Sequence, residues 1–358
     1  MGSRHAVRPL GALAAGLALC LLTAAGAGTA TAGARPALAA GPAAAARAGP
    51  AAAVARAGPA AAGAQPARAL AVAARAVASA PAAICTSATR KHRKVAARMS
   101  RGIAAALAGR SSVVGLAVAD TRTGVTCKFH QRRHFHSASI VKVVILGALL
   151  RHLMVRHRFL SPEQVTLTTE MITESSNAAA TRLWDELGRR RLQRFLDLAK
   201  MTHTTLGPGG YWGLTRATAH DELLLLKVLK SKDSVLDRTS RRYALSLMAR
   251  VIGSQRWGVT AGAPDDMTAH LKNGWLPDPV RWVINSIGIF TGHHRNYRIV
   301  VLTRDNPDMT YGVDTIQHVA EIINHELNPD ATVVTPPSVP YPSWGTPDEQ
   351  IPPRLSRA

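Results

Sequence analysis

Three short polar motifs, each set next to an apolar segment, constrain this chain more than any other feature of its sequence. Ser139-Ile140-Val141-Lys142 opens a long apolar run, Ser175-Ser176-Asn177 lies between two helical segments, and Lys272-Asn273-Gly274 lies in a late segment rich in aliphatic residues. A Ser-x-x-Lys motif alone is expected about once by chance in a chain of this size. Because the three motifs occur together in this order, they predict a serine nucleophile with two basic partners.

Apolar periodicity predicts strands near both ends of the folded part and helices between them. The expected helices span 91–108, 139–154, 174–187, 191–199, 218–230 and 313–327, and the expected strands span 113–120, 126–129, 268–272, 281–290 and 297–303. We therefore expect an α+β fold, in which an antiparallel sheet built from both chain ends packs on helices. An inserted all-helical subdomain would leave a cleft against the sheet, with the three motifs at its border.

The first 32 residues have the features of an export signal peptide. Arg4 and Arg8 precede an apolar core from Leu10 to Leu22, which is too short to span a bilayer, and Ala30-Thr31-Ala32 offers small residues for cleavage. We therefore expect residues 1–32 to be removed and the protein to be secreted or extracytoplasmic.

Composition divides the remaining chain into three parts. Residues 33–84 are almost wholly Ala, Gly, Pro and Arg, which is typical of a linker. Residues 85–330 are long enough for one domain with a substantial core, and all three motifs lie there. Residues 331–358 form a Pro-rich tail to which we assign no function.

The chain is strongly basic, with a formal net charge of +22. Its first 84 residues contain seven arginines and no acidic residue, which leaves +15 on the remainder. Such a charge attracts polyanions, so anionic cell-wall polymers are candidate partners for an exported protein. We expect no nucleic-acid partner, because basic residues such as Arg189-Arg190-Arg191 are scattered among helices and are not interleaved with aromatic residues.

Cysteine and histidine usage predicts a disulfide and no bound metal. After removal of the signal peptide only Cys85 and Cys127 remain, and in an oxidising compartment they are expected to form one bridge. His134 and His136, or the pair His293-His294, could recruit a metal, but such pairs arise by chance among the 14 histidines of a basic chain. We therefore expect no cofactor, and we expect a monomer.

The chemistry of a serine nucleophile explains the spacing of the motifs. Lys142 lies one helical turn after Ser139, so its amine and the serine hydroxyl lie on the same helix face. The amine must be neutral for part of the time to accept a proton, which burial and a second cation such as Lys272 would favour. Ser175 would then relay the proton to the leaving group.

Backbone N–H groups are expected to stabilise the oxyanion that forms during attack. Ser139 opens a helix, where unpaired N–H groups and the helix dipole favour negative charge. The second N–H would come from Trp275, because Gly274 before it lets a substrate approach the backbone.

At these positions the chain resembles the class A β-lactamases and related penicillin-recognising serine hydrolases, over roughly residues 95–330. The segment from Met171 to Ala180 is similar to the family's Ser-Asp-Asn segment, and Ser139-Ile140-Val141-Lys142 is similar to its nucleophile helix. The resemblance implies the two-part fold expected above and an acyl-enzyme mechanism. It assigns Ser139 as nucleophile, Lys142 as base or proton carrier, Ser175 as relay, Asn177 as a contact to the substrate amide and Lys272 as the anchor for a substrate carboxylate.

Three departures from the family pattern affect the expected chemistry. Ser176 stands where the family usually has a buried aspartate that braces the turn, and can replace only part of that bracing. Asn273 replaces a threonine or serine and would donate its amide to the substrate carboxylate from a different position. The segment 199–215 holds no carboxylate, whereas class A β-lactamases carry there the glutamate that activates the deacylating water.

Three hypotheses for function follow. The first is an exported serine hydrolase that forms an acyl-enzyme on Ser139 with a carboxylate-bearing amide or ester, such as a β-lactam or a wall peptide, and deacylates slowly. The second is a true β-lactamase in which another group, such as His203 or Tyr211, activates the water. The third is a non-catalytic cell-wall-binding module, which predicts that Ser139→Ala leaves binding unchanged.

Overall fold

The computed structural model of the protein describes residues 83–278, 281–292, 294–333 and 335. All of them lie within one compact unit. The expected signal peptide, nearly all of the expected linker and most of the expected Pro-rich tail lie outside the described residues. At the start of the tail, the backbone oxygen of Thr332 accepts a hydrogen bond of 3.0 Å from the N–H of Asp265.

A six-stranded antiparallel sheet forms the centre of the domain, in the order β1-β3-β2-β8-β7-β6. Its strands are β1 (Cys85–Ser87), β2 (Val113–Asp120), β3 (Val125–Phe129), β6 (Thr268–Asp278), β7 (Arg281–Gly292) and β8 (Arg295–Asn306). The first part of the chain meets the last between β2 and β8, which pair from Val113 opposite Arg304 to Asp120 opposite Tyr297. Both chain ends therefore share one sheet, as the sequence predicts, and β6 is one of its edges.

Outside this sheet, β4 (His134–His136) pairs with β5 (Arg216–Thr218) in a small two-stranded ribbon. The helices of the described residues are α1 (Arg93–Leu107), α2 (Val141–Met154), α3 (Pro162–Thr169), α4 (Asn177–Leu198), α5 (Ala219–Lys230), α6 (Arg238–Ala249) and α7 (Met309–Leu327). None of them is both long enough and apolar enough to cross a membrane.

The two faces of the sheet bury separate apolar cores because side chains alternate along each strand. On β8, Ile299 and Val301 lie in one core, and Val300 and Leu302 lie in the other. Helices α1 and α7 cover the first face, whereas α2, α4, α5 and α6 contribute to the second core. The second group of helices is the inserted helical subdomain, so the predicted α+β architecture is confirmed.

Local sequence explains where several helices begin and break. In α4, Gly188 has φ 67°, which interrupts the helical backbone at the break expected between 187 and 191. The helices α3 and α6 were not expected, yet each has a clear start. Ser161 caps α3 through a reciprocal hydrogen-bond pair with Gln164, and Asp237 caps α6.

A disulfide bond joins Cys85 to Cys127, which confirms the expected bridge. The two residues lie opposite each other on β1 and β3. Because β1 has only three residues, this bond fixes the start of the described chain to the sheet.

Candidate active site

The candidate nucleophile lies where a 3₁₀ turn, Ala138–Ile140, continues into α2. Ser139 itself is buried, with 3% of its surface exposed. The preceding residue, Ala138, has φ 46°, a left-handed conformation that is uncommon outside glycine. Backbone strain of this kind is typical of residues that the surrounding structure holds for a function.

Two residues of the sheet hold this turn in place. Asn285 on β7 donates its amide to the backbone oxygen of Ser137 at 3.1 Å and to that of the preceding residue at 2.8 Å. Gly274 on β6 lies directly against the turn, since a Cβ atom there would be 2.8 Å from the backbone nitrogen of Ser139 and 2.9 Å from that of Ile140. Glycine therefore permits the close approach of β6 to the nucleophile.

Two buried lysines converge on one serine hydroxyl. The Nζ of Lys142 lies 3.1 Å from the Oγ of Ser175, and the Nζ of Lys272 lies 3.0 Å from the same atom. Lys142 also donates to the Ser175 backbone oxygen at 2.6 Å and to the Oδ1 of Asn177 at 2.8 Å. Lys272 also donates to the backbone oxygen of Asn273 at 2.9 Å. The fold therefore brings together side chains of all three sequence motifs.

Burial lowers the pKa of Lys272 from its ordinary value of 10.5 to about 7, because an apolar environment disfavours the charged ammonium. Near pH 7 the amine is therefore neutral in a large fraction of molecules. A hydroxyl can accept a hydrogen bond from a charged amine and donate one to a neutral amine, whichever of the two lysines is neutral at the time. Ser175 is thus placed to pass a proton between the lysines or to a leaving group.

The turn that carries Ser175 is itself unusual. A π-helical turn, Glu170–Glu174, ends at Ser175, which adopts a left-handed conformation with φ 66° and ψ 31°. Ser176 then caps α4, and its Oγ accepts a hydrogen bond of 3.2 Å from the N–H of Ala179. Asn177 begins α4 and is half-buried, and its role as a contact to the substrate amide stays a prediction.

The structure corrects the expectation for the side chain of Asn273. This side chain is fully buried, and its Nδ2 donates to the backbone oxygens of Gln255 at 2.8 Å and Trp257 at 3.0 Å. Its Oδ1 accepts a hydrogen bond of 2.6 Å from the Oγ of Ser286. Both amide hydrogens are used inside the protein, so Asn273 braces β6 instead of donating to a substrate carboxylate.

Gln255 extends this bracing to the turn that carries Ser175. Its Nε2 donates to the backbone oxygen of Glu174 at 2.8 Å, while its own backbone oxygen receives the amide of Asn273. A short chain of amides therefore ties β6 to the residue directly before Ser175. A single glutamine in a loop forms no recognisable sequence motif, so the bracing role of Gln255 could not be predicted from the sequence.

Trp212 adds a group that the sequence did not suggest. The Nζ of Lys142 lies 4.7 Å from the centroid of the Trp212 ring, within the range of a cation–π contact. Trp212 is fully buried, and its Nε1 donates to the Oγ1 of Thr181 at 3.1 Å. It belongs to the segment 199–215, so this segment places an indole against Lys142. An indole N–H can donate but cannot accept a proton from water.

The other residues singled out in the sequence have structural contacts of their own. The Trp275 ring lies 6.0 Å from that of Trp257, and the backbone N–H of Trp275 as an oxyanion donor stays a prediction. The Nδ1 of His203 lies 3.4 Å from the Oδ1 of Asp221, and Tyr211 packs in a small apolar cluster. Within the part of the chain that the structure describes, no cluster of three or more His, Cys, Asp or Glu side chains could hold a metal.

Comparison with known proteins gives a family match over part of the chain. Residues 161–327 match the β-lactamase enzyme family. The matched region includes the motifs of Ser175 and Lys272 and begins after that of Ser139, so the place of Ser139 depends on the geometry described above. No curated protein matches the chain.

Solved structures with the same fold include class A β-lactamases and PBP-A. A class A β-lactamase from Bacteroides cellulosilyticus is 16% identical, over 65% of this chain and 98% of its own, with a TM-score of 0.57. A β-lactamase from Sphaerobacter thermophilus is 20% identical, over 63% of this chain and 96% of its own, with a TM-score of 0.56. A mutant of PBP-A, solved as an acyl-enzyme complex with penicillin G, is 16% identical, over 65% of this chain and 96% of its own, with a TM-score of 0.56. The resemblance that the motifs predict is confirmed at the level of the fold, which is that of the class A β-lactamases, and residues 161–327 match the β-lactamase enzyme family.

Proposed function

We propose that this class A β-lactamase-like chain is an exported serine hydrolase that forms an acyl-enzyme on Ser139 and releases it slowly. Its substrate would be an amide or ester that bears a carboxylate, such as a β-lactam or a wall peptide. The observation that supports this most directly is the convergence of Lys142 and Lys272 on the Ser175 hydroxyl, beside the turn of the nucleophile.

In the acylation step, the Ser139 oxygen attacks the substrate carbonyl and its proton passes to Lys142. The proton then moves through the Ser175 hydroxyl to the leaving nitrogen or oxygen, whose bond to the carbonyl carbon breaks. The backbone N–H of Ser139, in the nucleophile turn, would stabilise the oxyanion. In the fraction of molecules where it is charged, Lys272 would attract the substrate carboxylate.

Slow release is expected because the segment that packs against Lys142 supplies no carboxylate base. Hydrolysis of the ester on Ser139 requires a base that removes a proton from water. The segment 199–215 supplies an indole ring against Lys142 and contains no aspartate or glutamate. The acyl-enzyme would therefore persist after the leaving group departs.

The direct test is to mix the purified protein with a small excess of a penicillin and to follow its intact mass over time, with Ser139→Ala as control. We expect an adduct with the mass of the penicillin that persists in the wild type and is absent from the variant. A transient adduct with consumption of the drug would make the protein a true β-lactamase. No adduct at any time would contradict acylation by a β-lactam and would favour either a different substrate or the non-catalytic wall-binding module.

A second variant tests the role assigned to Trp212. Trp212→Glu would place a carboxylate beside Lys142, and we expect it to shorten the lifetime of the adduct by about tenfold or more, because general-base catalysis contributes at least that much. Trp212→Gln is the matched control, since it loses the same packing but supplies no base. Thermal melting of both variants is measured to check that they fold. Equal lifetimes for the two variants would contradict this role.

A further inference from the structure

A second positively charged feature lies outside the candidate active site. It is a shallow groove, widely open to solvent, with a volume of ≈ 630 Å³, lined by Arg132, Arg133, Arg216 and Arg304 together with His130, Gln131 and His134. No acidic side chain is among its lining residues. We call it the arginine groove.

The loop that supplies much of the groove is held in one conformation by its backbone. The N–H of Arg133 donates to the oxygen of His130 at 2.9 Å, which closes a turn between β3 and β4. The oxygen of Gln131 accepts a hydrogen bond of 2.9 Å from the N–H of His220 in α5. The ring of His134 is hydrogen-bonded to the backbone oxygen of His203 at 2.9 Å. The backbone that carries the loop arginines is therefore held in place.

The sheet also brings this loop close to the end of β8. A Cβ atom on Gly115 of β2 would lie 2.6 Å from the ring of Phe135, so glycine lets β4 approach the sheet at this point. Two residues before Gly115, Val113 pairs with Arg304. The arginines of three separate elements, namely the loop, β5 and β8, thus face a common space.

Charge at the groove is exposed and nearly uniform in sign. Arg132, Arg133 and Arg216 are exposed. Arg304 is partly buried and forms an ion pair of 2.8 Å with Asp305, the one acidic partner that this arginine has among the described ion pairs. Guanidinium groups offer paired N–H donors that match two oxygens of a phosphate, and they remain charged at any physiological pH.

We propose that the arginine groove binds a linear phosphodiester polymer of the kind found among anionic wall polymers. Repeated phosphates along one chain can engage arginines from the loop, β5 and β8 at the same time, and linked contacts of this kind strengthen binding beyond that of a single anion. The proposal goes beyond acyl-enzyme formation and does not depend on it.

Two other polyanions fit the groove less well. A membrane surface usually engages apolar side chains in addition to basic ones, but the large exposed apolar residues of the described chain lie elsewhere, at Val155, Phe159, Val165, Ile252 and Val333. Single-stranded nucleic acid binds through aromatic side chains on which bases stack, and the groove lining contains no Phe, Tyr or Trp.

The groove is joined to the candidate active site by a short piece of chain. From His134 the chain passes through β4 to Ser139, a distance of at most about 17 Å for an extended segment of this length. The N–H of Ser137 donates to the oxygen of Thr215 at 2.7 Å, next to Arg216. A polymer in the groove would therefore hold groups attached to it near the nucleophile.

The test measures binding of the full chain to fluorescently labelled poly(glycerol phosphate) over a series of salt concentrations. The groove variant is Arg132→Gln/Arg133→Gln/Arg216→Gln. The control variant is Arg93→Gln/Lys94→Gln/Arg101→Gln, which removes the same charge from exposed positions of α1. We expect the groove variant to lose about tenfold or more in affinity and to show a weaker salt dependence, because fewer counterions are released on binding. The control should lose much less.

Equal losses in both variants would overturn the proposal, because they would show attraction to net charge alone. Tighter binding of single-stranded DNA or of vesicles containing phosphatidylglycerol, with the same sensitivity to the groove variant, would assign the groove to that other polyanion and overturn it as well. Acylation by a penicillin is measured on the same preparations. Loss of polymer binding with normal acylation separates this proposal from the proposed catalytic function.

Discussion

The two buried lysines and the arginine groove place positive charge in opposite environments of one domain. Lys142 and Lys272 are fully buried and hydrogen-bonded to one hydroxyl, whereas three of the four groove arginines are exposed. Burial lowers the pKa of Lys272 to about 7, so its charge can change during a reaction. An arginine keeps its charge at any physiological pH. Under the two proposals, the same sign of charge would serve proton transfer in one place and attraction of anions in the other.

The largest expected effect comes from removing Lys142, the proposed base. Lys142→Ala should lower the rate of acylation by a penicillin about a thousandfold, because a positioned general base contributes on that order. The rate is measured with a fluorescent penicillin by rapid quenching. The groove variant serves as control and should acylate at the wild-type rate. A similar loss in both variants would remove the functional distinction between the two regions.

Lys272→Arg replaces a buried lysine that can lose its charge by a group that stays charged. It should therefore change the pH dependence of acylation. With an anionic penicillin, the ratio of the wild-type acylation constant to that of Lys272→Arg should fall as the pH rises above about 7, by up to tenfold per pH unit. The reason is that Lys272 loses its charge in the free protein over this range, whereas arginine does not. A ratio that stays constant between pH 6 and 9 would contradict the role of Lys272 as a carboxylate anchor.

The free energy of unfolding should also depend on the titration of Lys272. Between the folded pKa of Lys272, about 7, and its unfolded value of 10.5, the unfolded chain binds one more proton than the folded protein. The free energy of unfolding should therefore rise with pH from this group, by about 1.4 kcal/mol per pH unit. Lys272→Met lacks this contribution, and urea unfolding of both proteins at pH 7, 8 and 9 measures the difference. Parallel pH profiles would show that Lys272 is not titrating in the folded state.

The smallest effect is expected for the stability of the groove variant. Its three substituted arginines are exposed, so its free energy of unfolding should stay within about 0.5 kcal/mol of the wild type. The measurement is urea unfolding at a single pH. A loss of several kcal/mol would mean that these arginines support the fold, in which case the arginine groove would have a structural role.

Sequence reasoning found the parts of the site that lie on long periodic elements. Ser139 and Lys142 open a continuous apolar helix, and Lys272 lies in a strand that precedes two strands rich in Val and Ile, so their elements could be predicted. The role predicted for Asn273 was wrong, although the alternation of side chains along the strand already argued against it. Side chains alternate along a strand, so Asn273 must face away from the side on which Lys272 reaches Ser175. The prediction for Asn273 followed the family's threonine or serine at this position and not the alternation along the strand.

The β4–β5 ribbon and the contact of Trp212 depend on segments that are distant in sequence, so no local sequence pattern predicts them. The ribbon of β4 and β5 consists of two three-residue strands that are far apart in sequence, so neither is recognisable alone. Trp212 lies in a glycine-rich loop, and a buried aromatic residue there could have been noted as an anchor. Its contact with Lys142, however, follows only from the packing of that loop against α2.

The disulfide between Cys85 and Cys127 also determines how the domain would bear a mechanical load. A pull on the chain before Ala83 reaches the domain at β1, an edge strand of three residues whose hydrogen bonds could break one after another. The covalent bond transfers that pull to β3, which is paired on both sides, with β1 and β2. The domain is thus attached to the preceding chain through an interior strand, and tension on that chain would have to deform the sheet before it could peel away the edge.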